Sequence, residues 1–145
     1  MAIVNTSMWA HGLGIFLEDN SWTVARRGGG ATVFPSTTST AGWVHFAIPT
    51  PAKVNGVKPV LFQVVFRFNS GPQAHVTAVH VYSNEGQIAA ADGLNLTGSV
   101  ESIIGVPDQV AADAANGISL HVNFGSPVPS TDAWITLIGA GAHYQ

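Results

Sequence analysis

The sequence contains no cysteine. That excludes a disulfide framework, thiolate catalysis and cysteine-ligated metal, and it fits a reducing compartment. Charge is nearly as scarce: 5 Lys+Arg and 8 Asp+Glu in 145 residues, or 9%, against about 25% in an ordinary soluble domain. Five scattered basic residues and a net charge of −3 argue against nucleic acid, which requires a basic patch. No apolar run approaches the roughly 18 residues of a membrane span. The segment Met1 to Thr6 lacks a basic region followed by an apolar stretch, so no secretory signal is expected. The expected location is the cytoplasm, with export by another route left open. Two glycosylation triplets, Asn5-Thr6-Ser7 and Asn95-Leu96-Thr97, read as chance without such a signal.

What the chain has is apolar alternation. Hydrophobic residues make up 46% of it, enough for one domain with a real core. Apolar residues alternate or run in short blocks, and turn residues punctuate them. This predicts strands near 2–10, 13–18, 22–27, 31–34, 42–48, 58–69, 74–83, 87–91, 99–105, 117–124 and 132–143. Asn55-Gly56 and Asn116-Gly117 can take the positive φ of tight hairpins. Asn84-Glu85-Gly86 joins two strand-like runs, and Gly28-Gly29-Gly30 breaks another. Only Pro107 to Asn116 reads as helix, from its proline start and its alanines. Many short strands with regular turns predict an all-β fold: an antiparallel, jelly-roll-like sandwich of about 8–11 strands in a single domain, 1–145.

Two strands stand out. In Val60 to Phe68, Phe62, Val64, Phe66 and Phe68 fall on one face; Gln63, Val65 and Arg67 fall on the other. Trp134 to Ala140 is apolar on both faces. Such a strand must be central, covered, or packed on another subunit, because a bare apolar edge templates aggregation.

The segments Gly42 to Pro51 and Ala78 to Gly98, notably Gly42-Trp43-Val44-His45-Phe46 and Asp92-Gly93-Leu94-Asn95-Leu96, resemble a family of small uncharacterised bacterial β-rich proteins. The resemblance implies a single-domain bacterial protein. It assigns no activity, so it carries no functional residues over.

The residues able to carry chemistry are the histidines and the carboxylates. The histidines are His11, His45, His75, His80, His121 and His143. His75 and His80 are separated by an odd offset, so on a regular strand they face opposite ways, and only a bulge would bring them together. No close histidine pair followed by a glutamate is present, so no metal and no cofactor are expected. Glu18, Asp19, Glu85, Asp92, Asp108, Asp113 and Asp132 mostly sit in predicted turns; Glu101 alone lies in a strand-like run. Asp92 and Asn95 could hold a cation, although an Asx-turn is the commoner use of such a pair. Arg26-Arg27 before the triple glycine resembles an anion site, with a hairpin tip the plainer reading. Nucleophile-elbow, phosphate-loop and dinucleotide signatures are all absent.

Read together, three strands offer one outward set: Trp43, His45, Gln63, Arg67, Ser119, His121 and Asn123. An aromatic platform beside imidazole, amide and guanidinium groups suits a sugar, whose C–H face stacks while its hydroxyls seek planar partners. The same set would serve as a subunit interface or as an ordinary solvated face. The sparse charge and the doubly apolar strand lead to an expectation of a non-enzymatic protein that self-associates into a homo-oligomer. The alternatives are a glycan-binding module using the Trp43 face and a small enzyme with an unrecognised pocket. The expected partner is a second copy or a glycan, with no nucleic acid and no membrane span.

Overall fold

The computed structural model describes residues 6–51, 56, 58–111 and 115–145, with the side chains of 108–111 outside that description. Within it the chain is all-β. The strands are β1 (Thr6–His11), β2 (Phe16–Leu17), β3 (Thr23–Arg27), β4 (Gly30–Phe34), β5 (Ala41–Ile48) and β6 (Val60–Ser70). They continue with β7 (His75–Ser83), β8 (Gly86–Ala91), β9 (Ser99–Ala111), β10 (Asn116–Asn123) and β11 (Ile135–Tyr144). A single 3₁₀ turn, Gly12–Gly14, follows β1. These bounds track the apolar alternation closely, because each strand half-buries one side of its pleat.

The strands form two antiparallel sheets. The first has the order β3-β4-β11-β6-β9; β1 pairs with β11 beside β4. The second has the order β2-β5-β10-β7-β8. The connections β4–β5, β5–β6, β6–β7, β8–β9, β9–β10 and β10–β11 all pass from one sheet to the other, as jelly-roll connectivity requires. The hairpins β3–β4 and β7–β8 stay within a sheet. Gly28-Gly29 forms the tip of the first, between Arg27 and its partner Gly30. The Asn84 turn, with Asn84 at φ 53°, forms the tip of the second.

Between the sheets lies one core. Val44, Phe46 and Ile48 from β5 and Ile118, Leu120 and Val122 from β10, with Phe124 just beyond it, meet Val64, Phe66 and Phe68 from β6. Phe66 and Phe68 stack in parallel at 6.2 Å. Trp22 packs nearly perpendicular to Phe124, ring centroids 5.0 Å apart, and donates its indole N–H to the Ser39 carbonyl at 2.9 Å. At the far end the buried Asn116 amide donates to the fully buried Tyr144 hydroxyl at 2.9 Å.

The apolar 134–140 run belongs to β11, the middle of the first sheet. It bonds β6 on one side; on the other it bonds β4 through Ile135–Leu137 and β1 through Gly139–Tyr144. Being central, it presents no bare apolar edge; Ile135 and Leu137 are buried on its inner side, while Ile138 on the outer side is exposed.

Three expectations are corrected. Residues 107–111 are strand, not helix: β9 pairs Val110 with Leu61 and Ala111 with Val60, and pairing overrides the helical preference of alanine. Residues 112–114 of that expected helix lie outside the described residues. The β6–β9 ladder jumps from Gln63↔Gly105 to Leu61↔Val110, leaving Val106 to Gln109 as a wide bulge. Pro107, which has no N–H to give a ladder, falls inside it. The same irregularity removes Phe62 from the core row: Leu61 is buried there, and the Phe62 ring lies 6.2 Å from the His143 ring instead. Finally, Asn116-Gly117 is not a positive-φ turn; Asn116 begins β10 as a buried side chain.

Candidate functional site

The outer face of the second sheet is built by parity. Because Val44, Phe46 and Ile48 point inward, Trp43, His45 and Ala47 point outward. Ser119 and His121 do the same on β10, and His80 and Tyr82 on β7. Cross-strand register then sets rows. One row is Phe16, His45, Ser119, His80 and Ala90; the next is Trp43, His121 and Ala78; a third is Ala41, Asn123 and His75.

Trp43 is the centre of this face. Its half-buried indole lies 4.7 Å from the His80 ring, tilted by 46°, and 5.0 Å from the His121 ring, nearly edge-on. Each imidazole is fixed by a partner. His45 Nδ1 shares a 2.6 Å hydrogen bond with Ser119 Oγ, and its Nε2 lies 3.5 Å from a Glu18 carboxylate oxygen. The Glu18 backbone N–H donates to the Trp43 carbonyl at 3.2 Å, which brings that carboxylate to the sheet edge. His80 Nε2 is 2.9 Å from Asp92 Oδ1. His121 Nδ1 shares a 2.7 Å hydrogen bond with Thr77 Oγ1. Burial, and then the nearby His80, hold the His121 imidazole below its ordinary pKa. The exposed Phe16 ring adds a second aromatic surface beside His45.

A bulge shapes one end of the face. The register shifts from His121↔Ala78 to Val122↔Val76, so Thr77 is an extra residue. Val76 stays buried, and His75 comes onto the outer side with His80. The two are still two rows apart. Among the described residues no group of three or more His, Cys, Asp or Glu is placed to hold a metal.

Of the expected outward set, five residues share this face: Trp43, His45, Ser119, His121 and Asn123. Gln63 and Arg67 do not. Their strand, β6, is in the other sheet, so they sit on the opposite side of the sandwich. There, three rows cross β1, β11, β6 and β9: Ser7, His143, Gln63, Gly105; Trp9, Gly141, Val65, Ile103; and His11, Gly139, Arg67, Glu101. The Trp9 indole lies directly over Gly141, where an added Cβ would come within 2.6 Å of the ring. Arg67 sits 5.2 Å from the Trp9 ring centroid and pairs with Glu101 at 3.2 Å. The guanidinium is thus committed to its neighbours and remote from Trp43.

Sequence reasoning missed Glu18, Thr77, His80 and Asp92 as members of the Trp43 cluster. It tested His80 only as a metal ligand. The alternation Ile15-Phe16-Leu17 held the signal for an outward Phe16.

The fold is a β-sandwich, and solved domains named as carbohydrate-binding modules superpose on it. A low-affinity xylan-binding module, CBM86, from Roseburia intestinalis superposes with a TM-score of 0.58 at 13% identity, over 97% of this chain and 96% of that one. The C-terminal CBM6 of LamC, a marine laminarinase from Zobellia galactanivorans, gives 0.55 at 10% identity, over 94% and 99%. A CBM29-2 variant complexed with mannohexaose gives 0.51 at 10% identity, over 97% and 93%.

Residues 3–145 match the family described as a family of unknown function (DUF6623), and the chain belongs to it. No curated protein matches the sequence.

These findings correct the leading expectation of a self-associating structural protein. The solved domains superposed above are named as carbohydrate-binding modules, and neither name describes a self-associating structural protein; of the expectations, the glycan-binding alternative is the one that agrees with them. The two observations behind self-association also have explanations within one chain. The apolar strand is central, and hydroxyl and amide side chains occupy surface that charge would otherwise cover. No helix among the described residues is long and apolar enough to cross a membrane.

Proposed function

We propose that this domain binds a glycan on the outer face of its second sheet, with Trp43 as the stacking platform. The observation that carries the reading is the Trp43 cluster itself. One indole is bracketed by two imidazoles at 4.7 and 5.0 Å, and Ser119, Thr77, Glu18 and Asp92 hold the imidazoles of the face in place. A pyranose presents an apolar C–H face and a rim of hydroxyls. The indole takes the first, and the ring nitrogens and hydroxyls take the second. Because the imidazoles are already oriented, little side-chain entropy is lost on binding. The shared fold with carbohydrate-binding modules supports the same reading.

The test is calorimetric titration of neutral polysaccharides and their oligosaccharides, beginning with xylan, laminarin and mannan. Trp43→Ala should weaken binding by about tenfold or more, the loss of roughly 1.4–2 kcal/mol expected for a central aromatic contact. Trp9→Ala, on the opposite face, should leave binding unchanged. Equal affinity for wild type and Trp43→Ala, or no binding to any glycan, would overturn the proposal.

A further inference from the structure

A polar cleft of about 340 Å³ opens at the end of this face, where the β6–β7, β8–β9 and β10–β11 loops converge. Its size falls in the ordinary range for ligand sites, roughly 300–1,000 Å³. Gln73, His75, Thr77, Asn95, Asn123 and Ser126 line it. Carboxamides, hydroxyls and an imidazole are all present, and no Asp, Glu, Lys or Arg is among the lining residues. An anion would need cationic or clustered N–H donors, and a hard cation would need carboxylates. This wall offers paired donors and acceptors without charge, which is the complement of a neutral polyol.

Several of these groups have capacity to spare. Asn123 Oδ1 accepts from the Gly125 N–H at 2.8 Å, which leaves its NH₂ as a donor. Gln73 Nε2 donates to the Pro127 carbonyl at 2.7 Å, which leaves its Oε1 as an acceptor. Asn95 is exposed.

The cleft is also continuous with the platform. Thr77 lines it and bonds His121, and His121 packs on Trp43. The row holding Asn123 and His75 follows the row holding Trp43 and His121, about 7 Å further along the strands. A sugar stacked on Trp43 therefore has its chain neighbour over the cleft.

We infer that the cleft is a second subsite of the same binding surface, and that the ligand is a neutral linear oligosaccharide lying along β10 from Trp43 toward Asn95, rather than a single terminal sugar. This rests on the proposed use of the Trp43 face. The test titrates wild type and Asn95→Ala with manno-, xylo- and laminari-oligosaccharides from monosaccharide to hexasaccharide. The side-chain amide resonances of Gln73, Asn95 and Asn123 are followed by NMR in the wild type. Affinity should rise with chain length. Asn95→Ala should weaken the longer ligands about three- to tenfold, the worth of one or two net hydrogen bonds, and leave the shortest unchanged. The cleft amide resonances should move only with the longer ligands. Affinity independent of length, or Asn95→Ala matching wild type at every length with the cleft amides unmoved, would overturn the subsite while leaving the Trp43 reading intact. Binding by none of the probes would overturn both.

Discussion

The register of β6 makes a sharp stability prediction, because Phe62 and Phe66 have the same parity and opposite environments. Phe66 is fully inaccessible and stacks on Phe68 at 6.2 Å. A buried aromatic side chain hides about 150–250 Å², worth roughly 4–6 kcal/mol at about 25 cal/mol per Å². Alanine retains part of that, and the walls of the cavity relax only partly, so Phe66→Ala should cost about 3–5 kcal/mol. Set against a total stability on the order of 5–15 kcal/mol, that is a large share of what holds the domain folded. The variant's Tm should fall by roughly 6–20 °C at about 2–4 °C per kcal/mol. Phe62 is half-buried on the outer face beside His143, so Phe62→Ala should cost about 1 kcal/mol or less. Leu61, at 1% exposure, should behave like Phe66, with Leu61→Ala costing about 2–5 kcal/mol. Urea unfolding followed by tryptophan fluorescence, with m-values compared across the series, gives all three. If Phe62→Ala proved as costly as Phe66→Ala, or Leu61→Ala milder than Phe62→Ala, the bulged register would be wrong.

Other consequences follow from single contacts. A Cβ on Gly12 would lie 1.8 Å from the Leu137 carbonyl oxygen, a backbone atom of the central strand; Gly12→Ala should lower the melting temperature severely, whereas Gly14→Ala, with open space around it, should not. Tyr144→Phe leaves the buried Asn116 amide without its 2.9 Å acceptor and should cost about 1–3 kcal/mol, read from the urea midpoint. Because His121 is held below its ordinary 6.5, first by burial and then by His80, the unfolded chain takes up a proton there before the folded one does. The stability this contributes is complete above pH 6.5 and is lost as pH falls through the folded pKa. Urea midpoints should decline from about pH 7 to about pH 5, and His121→Gln should flatten part of that decline; an unchanged slope in the variant would refute the assignment.

Strand positions were legible because alternation is a local property. Val44, Phe46 and Ile48, and Ile118, Leu120, Val122 and Phe124, declare their inward side within a few residues, and all are buried. Strand order is not local, so nothing within 60–68 says that β6 lies in the sheet opposite β5 and β10. Gln63 and Arg67 were grouped with Trp43 for that reason. Bulges defeat parity in the same way: one extra residue at Thr77 brings His75 to the side of His80, and the irregularity beside Leu61 sends Phe62 outward, since a one-residue slip reverses every side chain beyond it. Ala111 carried a helical preference too weak to outweigh its pairing with Val60 of β6. The Trp43 platform and its neighbours His45, Ser119 and His121 were legible. Their partners Glu18, Thr77 and Asp92 were not, because each arrives from an edge, a bulge or a loop.

The position of β11 bears on how the chain can be made. This strand bonds β6 on one side and both β1 and β4 on the other, yet among the described strands it is synthesised after all the others. Until it emerges, β1 has no partner in its sheet, the β3–β4 hairpin is detached from β6, and Phe66 and Phe68 face an incomplete layer. The nascent domain can form hairpins such as β7–β8 but not a closed first sheet. Its folding therefore falls after translation of residue 144, at the slow end expected for non-local β pairing. Fragments ending before Ile135 should be protease-sensitive chains with no native-like core.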